Sequence, residues 1–309
     1  MITVMLATHN GARTLPALLE AYRCLDPVEG GWKLVVVDNA STDDTPAILS
    51  RYATMLPLTC LAEPQAGKNH ALNRGMTEVE GDLVVLTDDD ALPRQDWLVA
   101  LRSAVDAQPR FDVFGGAIVP RWEREPESWL LEWVPQGITY ALTDSAMRDG
   151  PIAASMVWGP NMAVRARLFA DGWRFDTSIG PRHSASYAMG SESELVSRLE
   201  RNGHRCWFVS NAVVAHVIRG FQMEESWVMR RAIRFGRGTF RFRPESEAQD
   251  RRLLFGVPRW VFRNLGETVL AIARHALRRD QRGVFLGKWA LYRDLGYLAE
   301  ARAKRNRTS

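Results

Sequence analysis

Two groups of carboxylates stand at the ends of apolar runs. KLVVVD (33–38) ends on Asp38, and DLVVLT (82–87) runs straight into Asp88, Asp89 and Asp90. Neighbouring carboxylates repel one another unless a cation neutralises them, and a hard divalent ion with oxygen ligands does so. Mg²⁺ or Mn²⁺ holding a diphosphate is the natural candidate, because one or two carboxylates plus substrate phosphates complete the coordination of such ions. The competing reading is a solvated acidic turn. GKNHALNRG (67–75) sets a glycine, a lysine and two asparagines around a helix start. Lys68 and the free backbone N–H groups there could meet a phosphate or a base edge; a solvated surface lysine is the plainer alternative. In DNASTDDTP (38–46), Ser41, Thr42, Asp43 and Thr45 can each cap the helix that follows. Asp38 differs, since it precedes the turn and points into the crevice at the strand ends.

Those residues need a frame that brings strand ends together. Short apolar runs alternate with helical patterns through the first half, the signature of an α/β fold with a mainly parallel sheet. The spacing predicts strands at 2–8, 33–38, 58–61, 82–87 and 113–119, and helices at 14–23, 45–52, 69–77 and 97–105. The strands are continuously apolar, as expected when helices cover both faces. In an open sheet of this kind ligands bind at the carboxyl ends of the strands, where both acidic groups stand. From 120 to 159 the periodicity fails, with tryptophans and prolines at irregular spacing, and the stretch reads as a long functional loop or flap. Order returns with NMAVRARLF (161–169), a helix at 194–202, and the strand-like runs RCWFVS and AVVAHVI. From Ser226 the chain reads as basic amphipathic helices broken near Pro244 and Pro258.

The chain has 309 residues, 46% of them hydrophobic, enough for a sizeable core. Its net charge of +4 hides an asymmetry: residues 1–220 hold 20 Lys+Arg against 27 Asp+Glu, and residues 221–309 hold 20 against 9. Cys24, Cys60 and Cys206 lack metal-ligand spacing and read as buried thiols of a reducing compartment. With no basic n-region at the start and no run of about 18 uncharged apolar residues, the expectation is a cytoplasmic protein.

Taken in order and spacing, ATHN, VVVDNASTDDT, GKNHALNRG, LTDDDALP, GPNMAVRARLF, GSESELVSRLERNGHR and AVVAHVI resemble the family 2 glycosyltransferases of GT-A fold. The resemblance spans about the first 220 residues. It implies a catalytic domain over 1–220, with a nucleotide-sugar-binding half (1–119) and an acceptor-binding half (120–220), followed by a basic helical region over 221–309. It implies that Thr8, Asn10 and Asp38 line the nucleoside pocket and that Lys68 and Asn73 close over the nucleotide. Asp88 and Asp90 match the D-x-D pair that carries the donor and the metal, Mg²⁺ or Mn²⁺. Asp89 falls at the variable middle position and is assigned to the donor side without a stated role. His216 matches a third metal ligand, although a packed strand histidine is the alternative. The family commonly reads Glu-Asp before the next helix, with the second carboxylate as general base. This chain has Ser191-Glu192, so Glu192 takes that role and the departure keeps Glu194 in play. For Glu194 the other reading is an acid favoured by the dipole of a helix start.

The implied reaction is inverting transfer of a sugar from a nucleoside-diphosphate sugar, UDP-linked by preference, to a hydroxyl of a sugar, lipid-linked or small-molecule acceptor. The alternatives are a nucleotidyltransferase of the same fold and a non-catalytic nucleotide-sugar-binding protein. Processive relatives carry Gln-x-x-Arg-Trp and membrane spans; here Gly256 stands where the glutamine would precede Arg259-Trp260, which favours a single, non-processive addition. Trp122, Trp158 and Asn161 are candidates for the acceptor side, with satellite core as the other reading of the tryptophans. The basic helices suit the inner face of an anionic membrane; a packed appendage or a homodimer interface is the alternative. Nucleic acid is disfavoured, because no recognised binding motif accompanies the basic patch.

Overall fold

The computed structural model describes residues 1–182, 187–242, 253–254 and 257–308. In chain order the elements are β1 (Ile2–Thr8), α1 (Leu15–Arg23), β2 (Trp32–Asp38), α2 (Thr45–Tyr52), β3 (Leu58–Ala62), α3 (Lys68–Gly75) and β4 (Leu83–Leu86). Then come β5 (Ala91–Pro93), α4 (Trp97–Ala107), β6 (Val113–Trp122), α5 (Ser128–Trp133), α6 (Gln136–Tyr140) and β7 (Gly150–Ile152). β8 (Met162–Arg165), α7 (Ala166–Ala170), α8 (Ser191–Arg201) and β9 (Cys206–Ile218) follow. The last part holds α9 (Glu225–Phe242), β10 (Leu253–Leu254), β11 (Val257–Pro258), α10 (Arg259–Leu277) and α11 (Gln281–Thr308). The chain divides into two compact units, one of Met1–Arg121, Tyr140–His183 and Ser191–Val217, the other of Trp122–Thr139, Ser184–Gly190 and Ile218–Ser309.

The first unit is a mixed α/β layer built on one sheet, ordered β3-β2-β1-β4-β8-β6-β9-β5 with β7 on β9. β1 to β4 are parallel, β8 runs antiparallel to β4, and β5 runs antiparallel to β9. The inner parallel strands are buried on both faces: Val4, Met5 and Leu6, and Leu34 to Val37, are inaccessible to solvent. Helix α1 buries Leu15, Leu18, Leu19 and Tyr22, the positions its 3.6-residue period selects. Each such leucine contributes about 1.5–3 kcal/mol when fully buried. The β1–β2 register pairs Thr8 with Asp38, so both strand ends come level at one edge of the sheet.

Several expectations shift. The predicted helix at 69–77 is α3 followed by a short 3₁₀ turn over Met76–Glu78. α8 starts at Ser191, three residues earlier than predicted, which puts Ser191, Glu192 and Glu194 together in its first turn. The two predicted strands after it are one, β9. The stretch 120–159 is not one open loop: it holds the end of β6, two short helices, β7 and a 3₁₀ turn, and its residues 122–139 belong to the second unit. Periodicity cannot show helices of five or six residues, which are too short for a full apolar face. Of the cysteines only Cys206 is buried, and its thiol is pushed up to about 12 by that burial; Cys24 and Cys60 are exposed.

The second unit is helical. α9 and α11 cross at glycines, where a Cβ on Gly236 would lie 1.8 Å from the Arg293 carbonyl oxygen and one on Gly296 would lie 2.1 Å from that of Ile233. Arg237 and Arg241 of α9 bind the buried Glu300 of α11, Arg237 at 3.0 Å. Phe240, Val257, Val261, Tyr297, Leu298 and Ala301 form its apolar core. Among the described residues no helix is long and apolar enough to cross a membrane. The helix break expected near Pro244, and Gly256, lie outside the described residues.

Candidate active site

β4 delivers Asp88 to Asp90 to the sheet edge, and a tight turn follows, with the Ala91 N–H donating to the Asp88 carbonyl at 3.2 Å. The chain then pairs with β9, Ala91 opposite His216, and the Val217 N–H donates to the Asp90 carbonyl at 2.9 Å. That pairing sets Asp90 Oδ1 3.4 Å from His216 Nε2. On the far side of the ring, His216 Nδ1 lies 2.7 Å from the Tyr140 carbonyl oxygen. A carbonyl only accepts, so Nδ1 carries the hydrogen and Nε2 faces Asp90. Burial alone would push the imidazole down; Asp90 and Asp88 outweigh it and hold the pKa of His216 above its ordinary value.

Lys68 opens α3 and reaches across to two carboxylates. Its ammonium binds Asp88 and lies 2.6 Å from Glu192 Oε1. Burial opposes the charge on Lys68, but these two partners prevail and raise its pKa. Asp88 is also raised, mainly by burial and further by Glu192 and Asp90, against the pull of Lys68. The site therefore carries more carboxylate than the lysine can balance. Glu192 is held close by Gly159, where a Cβ would fall 2.5 Å from the Glu192 Cδ; no other residue leaves that space.

Asp89 accepts a hydrogen bond from the Thr8 hydroxyl at 2.6 Å, tying the aspartates to the end of β1. Asp38 accepts from the Ser41 N–H at 3.1 Å. Asn10 is in the left-handed region, at φ 53°, and its Oδ1 accepts from the Thr42 N–H at 2.8 Å. Thr8, Asn10 and Asp38 thus gather at the edge between β1 and β2.

The remaining candidates have structural surroundings of their own. Asn161 is fully buried, and its amide is spent on the Trp97 indole at 2.9 Å and the Ala117 and Ala212 carbonyls at 2.9 and 2.8 Å, so it locks the sheet and cannot reach an acceptor. Asn73 does not join the site; its amide donates to the Phe175 carbonyl and accepts from the Phe175 N–H. Glu194 forms a two-pronged pair with Arg198, at 2.5 and 2.9 Å, four residues on in α8, which occupies it structurally. Trp158 and Trp122 are half-buried. Within the second unit Trp129 and Trp133 pack on Phe285, with ring centroids 5.5 and 6.0 Å apart.

Sequence reasoning missed two positioning groups besides Gly159. Asn39, buried beside Asp38, donates to the Glu63 and Gln65 carbonyls and accepts from the Gly67 N–H at 2.7 Å, fixing the loop that presents Lys68. A polar residue directly after a buried strand was the available signal. The Tyr140 carbonyl, which sets the His216 tautomer, leaves no trace in a side-chain pattern.

Among the described residues no group of three acidic, histidine or cysteine side chains is gathered tightly enough to hold an ion alone. At the strand-end site Asp90 stands beside His216. Their 3.4 Å separation matches two ligands of one ion at bond lengths of about 2.1 Å. With Asp88 adjacent and the carboxylates in excess, these residues fit a cation whose remaining ligands come from a diphosphate.

Known proteins carry the same framework. A mannosyltransferase of Pyrobaculum calidifontis, solved with GDP-Man and Mn²⁺, superposes with a TM-score of 0.57 at 22% identity, over 98% of this chain and 75% of that one. TarS residues 1–349 of S. aureus, solved with UDP-GlcNAc, superpose with a TM-score of 0.52 at 17% identity, over 99% and 91%. In sequence, the glucosyl-dolichyl phosphate glucuronosyltransferase of Haloferax volcanii is 25% identical over 174 residues, 54% of this chain and 52% of that protein, so the match spans about half of that relative. An uncharacterized glycosyltransferase of Mycobacterium tuberculosis is 32% identical over 199 residues, 59% of this chain and 86% of that protein. The family model for glycosyl transferase family 2 matches residues 3–173, more than half of the chain and most of the strand-end carboxylate site, and the protein belongs to that family.

Proposed function

We propose that the protein is an inverting glycosyltransferase that moves a sugar from a nucleoside-diphosphate sugar to an acceptor hydroxyl in a single, non-processive addition. The observation that carries this reading is the convergence of Asp88, Asp90, His216, Lys68 and Glu192 beside the carboxyl ends of the parallel strands β1 and β4 of the mixed sheet. Thr8, Asn10 and Asp38 border the nucleoside end. Asp90 and His216, with Asp88 beside them, would hold Mg²⁺ or Mn²⁺, which when bound supplies Lewis-acid stabilisation to a departing diphosphate. Lys68, held between Asp88 and Glu192, presents a positive charge to the same diphosphate. Glu192 takes the acceptor proton as general base. A carboxylate in that role supports one in-line displacement at the anomeric carbon, with inversion and no covalent intermediate.

The Mn²⁺ and nucleotide sugars of the structural neighbours support the donor class, and a UDP-sugar is the first donor to test. The dolichyl phosphate relative supports a lipid-linked acceptor, and with it attachment of the basic 221–309 region to the inner face of an anionic membrane. Product analysis tests the reaction class. Incubation with nucleotide sugars and Mn²⁺ is expected to release nucleoside diphosphate as sugar is transferred. Pyrophosphate release from a nucleoside triphosphate and a sugar 1-phosphate, in a parallel incubation, would assign a nucleotidyltransferase, and donor binding with no turnover would assign a binding protein.

A further inference from the structure

Helix α10 has two unlike faces. Its inner side sets Val261 into the core of the second unit, and Ile272 lies against Gly287 of α11, where a Cβ would come within 2.5 Å. On its outer side Val269 is 52% exposed, Leu270 59% and Leu277 86%. With Gly266, whose Cβ position faces open space, and the exposed Ala273, these residues follow the spacing of a single helix face over three turns. Isolated exposed leucines are ordinary on a soluble surface; an aligned stripe is not.

The charges around the stripe are nearly all of one sign. Residues 259–282 contain six arginines against Glu267 and Asp280. Both acids have local partners: Glu267 lies 3.7 Å from Arg263, and Asp280 accepts from the Gly283 N–H and meets His275 at 2.8 Å. Arg263 and Arg274 border the stripe along the helix, while Arg278 and Arg279 follow Leu277 at its end. An aliphatic stripe edged by arginine has the composition of a helix that lies in a bilayer interface, and polybasic segments are drawn to anionic headgroups. A two-fold contact with a second copy would bring the arginines of both α10 helices together. Single-stranded nucleic acid would need aromatic stacking platforms, which the stripe lacks.

We propose that the outer face of α10 docks on an anionic lipid bilayer, with Leu270 and Leu277 entering the headgroup boundary and Arg274, Arg278 and Arg279 meeting lipid phosphates. This deepens the membrane attachment in the proposed function by assigning it to one helix face, and it rests on that reading only for its purpose. The test is flotation of the full chain with vesicles of phosphatidylcholine and phosphatidylglycerol in equal parts, against pure phosphatidylcholine. The expected result is binding to the anionic vesicles that weakens with salt, and that falls by about tenfold or more in Leu270→Glu/Leu277→Glu with an unchanged melting temperature. Arg274→Gln/Arg278→Gln, which leaves the stripe intact, is expected to lose preference for the anionic vesicles. No binding of the wild type at low salt overturns the proposal and the membrane attachment, but leaves sugar transfer standing. Equal flotation of the wild type and both double variants overturns α10 as the docking face and leaves the attachment standing. A wild-type dimer in light scattering that Leu270→Glu/Leu277→Glu converts to monomer assigns the face to a second copy and overturns the lipid reading.

Discussion

Three carboxylates, one lysine and one histidine share the strand-end site, and the balance among them determines which ligand it accepts. Lys68 neutralises part of the charge of Asp88 and Glu192, and Asp90 turns to His216. What remains is negative charge partly shielded from water, costly unless a cation or a proton compensates. If Asp90 and His216 hold the metal, Asp90→Asn and His216→Ala should each weaken Mn²⁺-dependent thermal stabilisation by nucleoside diphosphate about tenfold or more. Stabilisation as strong as in the wild type would remove that residue from the metal site. The placement of Asp88 and Asp90 at a strand end was legible in the sequence because the apolar run before them is continuous. The contact of Asp89 with Thr8 was not, since the two lie 81 positions apart and meet only once β1 and β4 lie side by side. Glu194 shows the converse: its pairing with Arg198 is a local i,i+4 feature that explains it without chemistry.

At the scale of elements, the parallel strands and their helices were readable because buried strands are continuously apolar and helices keep their period. The region 120–159 was not, because α5, α6 and β7 are too short to show any period. The start of α8 matters most, since it fixes Glu192 against Gly159. Gly159→Ala should displace the Glu192 carboxylate and lower kcat by about 10- to 100-fold with little change in donor KM; steady-state kinetics at varied donor concentration checks it. A second element-level device is Asp112, at the entry to β6. It binds Arg167 and lies 2.8 Å from His204 Nδ1. Burial would raise this carboxyl, but its hydrogen bonds to His204 and Arg167 hold it below the ordinary carboxylate value. The associated stability is present above the unfolded pKa of about 3.9 and is lost as the pH falls through the lower folded value. Asp112→Asn should therefore lower the melting temperature near neutral pH, by about 1–3 kcal/mol of stability, and flatten its fall below about pH 4. A melting profile across that range with the wild-type slope would contradict this.

Across the whole molecule, charge and architecture divide in the same direction. The first unit holds the carboxylate site, and the second is the arginine-rich helical assembly closed by Gly236, Gly296 and Glu300. The charge asymmetry was visible in composition. What composition could not show is that residues 122–139 belong with the C-terminal helices, because that grouping rests on contacts such as Trp129 and Trp133 with Phe285, more than 150 positions away. The proposed sugar transfer depends on Glu192 acting as base. The most direct measurement is turnover of a nucleotide sugar by the wild type and Glu192→Gln, with nucleotide affinity measured on the same samples. Glu192→Gln is expected to lose transfer by about 10²–10⁴-fold while binding the nucleotide within about threefold of the wild type. Undiminished transfer by Glu192→Gln would remove Glu192 from the role of base.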